Sequence, residues 1–213
     1  MDRMKPIAFL GTIAALVALE WASPYLHRLS WGVPFSPLAW TALVRSMDVL
    51  LFLTLFRVLC VPISTAGLKR PATGILVGLA VSLVLGGGFF LFTLFVRLLW
   101  KIDLTALLGS GVRVRGVGSL VVLCLVGPFT EELFFRGLCY TLIKTNTAVW
   151  FAVISSTVLF GASHLLGGAT ATGVVVPLCG GVVLALLYEL TGSLFTPFAL
   201  HAMANFILFT RII

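Results

Sequence analysis

The sequence predicts an all-α fold, a polytopic membrane helix bundle with about seven transmembrane helices, and three observations carry that expectation. The 213 residues are 60% hydrophobic and only 10% charged, with a mean hydropathy of +1.17, which does not describe a soluble surface. The apolar residues are gathered into long runs rather than spread through the chain. A hydrocarbon core about 30 Å thick takes about 20 helical residues to cross, so seven crossings use about 140 residues and leave no room for a separate soluble domain.

The first run, Ile7 to about Leu26, resembles a signal peptide but exceeds the usual apolar core length, carries Glu20 and lacks a small-residue cleavage site, so it is expected to be a retained span. The second, Ser46 to Ile63, follows the Pro-rich stretch Pro34 to Pro37 and holds Asp48 and Arg57 on different parts of the helix. The third, Ala72 to Leu99, passes through Gly86-Gly87-Gly88, a triplet that kinks a helix or admits a close neighbour. After the polar connection between Arg97 and Gly118, four further spans are expected over about 117 to 142, 149 to 165, 173 to 190 and 194 to 210.

Fourteen Lys+Arg against seven Asp+Glu, with a pI near 9.8, would suit a nucleic-acid binder, but the basic residues stand in ones and twos at the edges of apolar runs. No nucleic-acid partner is expected, and these residues, Arg45 among them, read as topology signals that divide too evenly between the two sides to set an orientation. Cys60, Cys124, Cys139 and Cys179 lie within apolar runs without CxxC spacing and read as apolar filler.

The chemistry-bearing residues are those that do not belong in lipid. Glu131 and Glu132 lie deep in the fourth run, where each mid-bilayer charge costs about 2.5 to 3.5 kcal/mol. Glu132 and Arg136 are i and i+4, acid first, which is the favourable order for a helical ion pair. Glu131 points about 100° away around the helix. The pattern suggests that one carboxylate is held ionised by its partner while the other faces a cavity and is available to take a proton. A buried pair that merely fixes helix register would account for Glu132 and Arg136, but not for Glu131. His164 closes Phe160-Gly161-Ala162-Ser163-His164, and His201 and Asn205 share a helical face one turn apart. Each alone reads as a packing contact, whereas two Glu, two His and an Asn on three spans read as a site.

These residues form EExxxR (Glu131 to Arg136), FxxxH (Phe160 to His164) and HxxxN (His201 to Asn205), in that order and each on its own span. The pattern resembles the CPBP family of intramembrane endopeptidases, which includes CAAX prenyl proteases of the Rce1 type, bacteriocin-processing and immunity proteins, and myxosortase-like sorting enzymes. Gly127-Pro128, Gly192-Ser193-Leu194 and Thr196-Pro197 also look like the family. The resemblance divides the chain into residues 1–116, helices of unassigned role, and 117–213, a CPBP-like catalytic bundle.

The resemblance implies an intramembrane glutamic-type endopeptidase that acts on a membrane-associated protein or peptide within the lipid bilayer. Glu131 would be the general base, with His164 orienting the water, Glu132 and Arg136 holding the geometry, and His201 and Asn205 as donors to the carbonyl oxygen. Phe160 would form the wall of the site. No cofactor is expected; a zinc-dependent metalloprotease is disfavoured because HExxH is missing. A non-enzymatic immunity or scaffold protein on the same fold would also fit the apolar spans, and so would a proton-coupled carrier, against which the lack of visible inverted repeats argues. A sorting helix, a prenylated terminus or a leader peptide would be the substrate, and the short chain points to a bacterial cell membrane.

Overall fold

In the computed structural model the described residues are 36–58, 60–102, 116–166, 170 and 173–210, together with Ala14 and Ala18. Among them lie six long helices and no strand: α1 (Pro37–Val58), α2 (Pro71–Trp100), α3 (Val117–Lys144), α4 (Val149–Leu166), α5 (Val175–Thr191) and α6 (Phe195–Thr210). Four of these, α1 to α4, are long and apolar enough to cross a bilayer; α5 and α6 are shorter apolar helices. The expected first span, most of the Arg97 to Gly118 connection and Gly167 to Ala169 fall outside the described residues. Large aliphatic side chains point outward, Leu83 at 74% and Leu190 at 80% exposure among them, as lipid-facing residues of a bundle do.

Helix α1 begins earlier than the apolar run suggests. Pro37 opens it, and the Ser36 hydroxyl accepts the Ala39 amide at 3.1 Å. A serine followed by proline is a helix start, because the serine caps an orphan amide and proline needs none. The expected Ser46 to Ile63 span is therefore corrected to Pro37–Val58, and Arg45 lies two turns inside a helix rather than in a connection. Val44, Asp48, Phe52 and Phe56 recur every four residues and are all buried. That stripe packs on α3, where Phe52 stacks on Phe134 with centroids 4.9 Å apart.

Helix α3 widens twice. It is α-helical over Val117–Val121, widens to π-helix over Val122–Val126, returns to α over Gly127–Glu132, and is π again over Leu133–Tyr140. In the first wide turn the Gly127 amide reaches back five residues to the Val122 carbonyl. The next amide in that register would meet Leu123, but residue 128 is proline and has none. The Leu123 carbonyl is thereby released for a partner elsewhere.

The Gly86 to Gly88 triplet does not interrupt α2, and among the described residues nothing comes within 4 Å of where a Cβ would stand at Gly87 or Gly88. Close approach occurs nearer the start of α2, at Gly74 and Gly78, where it meets the start of α6. A Cβ at Gly78 would lie 2.4 Å from the Thr196 carbonyl oxygen and 2.7 Å from the Ala199 Cβ. Small residues four apart let two membrane helices touch backbone to backbone. The four cysteines are free thiols, Cys124 and Cys139 being buried.

Gly78→Ala is expected to separate α2 from α6 and to cost about 1 to 3 kcal/mol, the usual penalty of overpacking. Gly87→Ala should be neutral or slightly stabilising. Unfolding of both variants in mixed detergent micelles, side by side, checks the contrast; equal stabilities would refute it.

Candidate active site

The site is built outward from a charge pair with no access to solvent. Arg136 and Glu132 are both fully buried, and the arginine Nη1 donates to Glu132 Oε1 at 2.9 Å across one turn of α3. The second guanidinium nitrogen, Nη2, donates to the Gly181 carbonyl on α5 at 3.1 Å. One face of the guanidinium lies 4.7 Å from the centroid of the Phe160 ring on α4. On its other side Glu132 Oε1 accepts a hydrogen bond from His201 Nδ1 on α6 at 2.8 Å. Four helices are thus tied to one ion pair.

The hydrogen bond to Glu132 fixes the His201 tautomer, because a carboxylate can only accept and Nδ1 must therefore carry the hydrogen. The remaining ring nitrogen, Nε2, is turned to Glu131 and stands 3.6 Å from its Oε2. That separation is too long for a direct hydrogen bond. Glu131 is also 3.7 Å from Nη2 of Arg45 on α1, at its other oxygen. Its side chain is 20% exposed, whereas Glu132 is wholly enclosed. Adjacent carboxylates on one helix therefore occupy different surroundings: Glu132 is enclosed and bonded through Oε1, with Oε2 buried and unpartnered among the described residues, and Glu131 is partly exposed.

Phe160 holds both histidines. Its ring meets the His164 imidazole edge-on at 4.6 Å and the His201 imidazole edge-on at 5.6 Å. His164 Nδ1 donates to the Phe160 carbonyl at 2.9 Å, which leaves Nε2 of the neutral ring as an acceptor. Asn205 is placed by the proline of α3, since its Nδ2 donates at 3.0 Å to the released Leu123 carbonyl. One amide hydrogen of Asn205 remains after that bond.

Of the residues singled out from sequence, Glu131, Glu132, Arg136 and His201 converge through direct contacts. Phe160 joins His164 to them, and Asn205 lies one turn beyond His201 with a partner on α3. Sequence reasoning missed Arg45, Asp48, Gly181 and Leu123. The Arg45 and Asp48 spacing of three, with Nη1 donating to Oδ2 at 2.9 Å, is a readable helical pair once the helix start at Pro37 is recognised. Among the described residues no three His, Cys, Asp or Glu side chains are grouped as metal ligands.

Residues 113–207, just under half of the chain, match the family model described as type II CAAX prenyl endopeptidase Rce1-like. A Bacillus subtilis (strain 168) protein named "Putative membrane peptidase YdiL" is 30% identical over 86 residues, which are 40% of this chain and 34% of that protein. The match thus spans about a third of that relative's length. No solved structure matches. The Rce1-like segment contains every motif residue from Glu131 to Asn205, in agreement with the resemblance read from sequence, and stops short of α1. With its apolar helices, the chain is an integral membrane protein.

Removal of Arg136 leaves Glu132 as an uncompensated buried charge. Arg136→Ala should cost about 3 to 5 kcal/mol, and adding Glu132→Gln in the same chain should recover a substantial part by deleting that charge. A double-mutant cycle of unfolding in detergent measures the coupling, and additive losses would contradict it.

Proposed function

We propose that this Rce1-like membrane protein is an intramembrane endopeptidase of the glutamic type, hydrolysing a peptide bond in a membrane-associated protein or peptide with a water activated by Glu131. The observation that carries the reading is the contrast between the two neighbouring acids. Glu132 is enclosed and bonded to Arg136 and His201, while Glu131 is partly exposed and stands within 4 Å of Arg45 and of His201 Nε2.

Peptide hydrolysis needs a base for the water, stabilisation of the developing oxyanion and a proton for the leaving amine. Glu131 serves as the base. Glu131 Oε2 and His201 Nε2 stand 3.6 Å apart, and a water set beside the pair, about 2.8 Å from each, would hydrogen-bond to both. The acceptor nitrogen of His164 is suited to share the second hydrogen of that water. His201 is oriented by Glu132, and with a second proton on Nε2, drawn from water before the attack and kept through the cycle, that nitrogen donates to the carbonyl oxygen as negative charge accumulates there. Asn205 is anchored at Leu123 by one amide hydrogen and directs the second to the same oxygen. The proton collected by Glu131 returns to the leaving nitrogen. In this reading the chain works without a metal, so phenanthroline should leave activity unchanged.

The substrate classes are those with a scissile bond at the membrane: a prenylated C-terminus, a C-terminal sorting helix or a leader peptide. A quenched farnesylated peptide ending in Cys-aliphatic-aliphatic-X, and a single-span peptide with a basic tail, are the probes that distinguish the first two. Uncut probes with purified, folded protein would favour an immunity or scaffold role. The expected cellular location is a bacterial cell membrane.

Glu131→Gln retains shape but cannot take a proton, so it is expected to abolish cleavage of whichever probe the wild type cuts, a loss of more than about 10³-fold. Its melting temperature should stay close to wild type because Glu131 is outside the buried pair. Normal cleavage by that variant would remove Glu131 from the mechanism.

Asn205→Ala should lower kcat per folded molecule by about 10²- to 10³-fold with KM little changed, as loss of an oxyanion donor does. It should also lower stability, because the Leu123 carbonyl loses its partner. A rate loss that only follows the folded fraction, measured by melting and kinetics on the same samples, would reduce Asn205 to a packing role.

A further inference from the structure

The Rce1-like segment begins at residue 113, yet a cationic side chain placed against Glu131, that of Arg45, comes from α1. Arg45 enters the bundle beside the buried stripe of α1. Its Nη1 donates to Asp48 Oδ2 at 2.9 Å, and its Nη2 stands 3.7 Å from Glu131 Oε1. Asp48 is 2% exposed and occupies the position on the stripe where Val44 and Phe52 lie one turn to either side. A carboxylate in that place costs several kcal/mol unless it is bound to a cation. Packing against α3 alone would be served better by an apolar residue there. Asp48 instead keeps the guanidinium at a fixed angle, and the stack of Phe52 on Phe134 sets α1 against α3 so that the other fork of the guanidinium faces Glu131.

We infer that Arg45, clamped by Asp48, is a positioning residue for Glu131: it orients the partly exposed carboxylate toward His201 Nε2 and sets the charge the base must work against. Residues before the Rce1-like segment would thereby contribute to the site. The inference rests on Glu131 being the base. Groups that face Glu131 are Glu132 and Arg136 on its own helix, His201 from α6, and Arg45 with Asp48 behind it from α1. His164 of α4 reaches the cluster through Phe160, and Glu189 of α5 is bound away from it by Tyr140 and Lys144 at the far end of α3.

The opposite signs of Arg45 and Asp48 give a test that a purely structural role cannot imitate. Removing the guanidinium as Arg45→Gln makes protonated Glu131 easier to form, so the acid limb of the kcat/KM profile should move to higher pH. At the wild-type optimum, kcat should fall by about 10- to 100-fold with KM within about twofold, as misplacement of a catalytic group does. Arg45→Lys should restore most of the rate. Asp48→Asn releases the guanidinium from its competitor, so its acid limb should move the other way, to lower pH, whatever its effect on rate.

The experiment is a set of pH–rate profiles in detergent on the farnesylated or single-span probe that the wild type cuts, with Glu131→Gln included and melting recorded for each variant. Inactive Glu131→Gln together with unmoved acid limbs in folded Arg45→Gln and Asp48→Asn overturns the inference and leaves the base assignment standing. If Arg45→Gln does not fold, Asp48→Asn alone decides, and an unmoved or upward limb overturns the inference. Cleavage by Glu131→Gln overturns both.

Discussion

A buried ion pair in a membrane bundle has to be surrounded, because the bilayer supplies no water to complete its hydrogen bonds. Glu132 and Arg136 impose that demand on the helices from α3 onward. The guanidinium takes a carbonyl from α5 and an aromatic face from α4, and the carboxylate takes an imidazole from α6. Each contact that lowers the cost of burying charge also locates a site residue. The electrostatic requirement and the geometry of the site are therefore the same set of bonds, and the cluster assembles as a unit or not at all.

This arrangement also gives two neighbouring carboxylates different surroundings. Glu132 is enclosed and bonded to an arginine and an imidazole, whereas Glu131 is partly exposed. Placing the two acids next to each other turns them about 100° apart, one into the bundle interior and one toward Arg45 and His201. The three charged residues in the middle of α3, two acids and one arginine, leave an excess negative charge there. Arg45 from α1 and His201 from α6 face the excess from different helices.

How much of this is legible in the residues depends on the range over which each signal acts. The spans from residue 71 onward are legible to within a few residues because lipid dictates length and composition together. Glu132 with Arg136, and His201 with Asn205, are legible because i and i+4 are neighbours on any helix. The start of α1 is not, because its signal, a serine cap followed by proline, lies in a stretch that also reads as a connection. Arg45 consequently reads as a span edge when it lies inside a helix. The Gly86 to Gly88 triplet is conspicuous but open to its surroundings, whereas the four-residue spacing of Gly74 and Gly78 is the packing signal. The partner of Asn205 is hidden from sequence, since it depends on a π turn whose presence leaves no periodicity to detect and on a proline 77 positions earlier in the chain.

The two wide turns of α3 carry a consequence for how such a helix can diverge. A π segment is the trace of one residue inserted into an α-helix, and losing that residue rotates everything beyond it by about 100° relative to everything before. The second wide turn, Leu133–Tyr140, runs from the acids through Arg136 to Tyr140, which with Lys144 holds Glu189. Beyond Arg136 it works as a phase adjuster on a shaft: the pair of Glu132 and Arg136 can keep its place while the far end is re-indexed against another neighbour. A single-residue insertion or deletion after Arg136, usually ruinous in a transmembrane helix, would here change the docking face at Tyr140 and Lys144 and spare the ion pair.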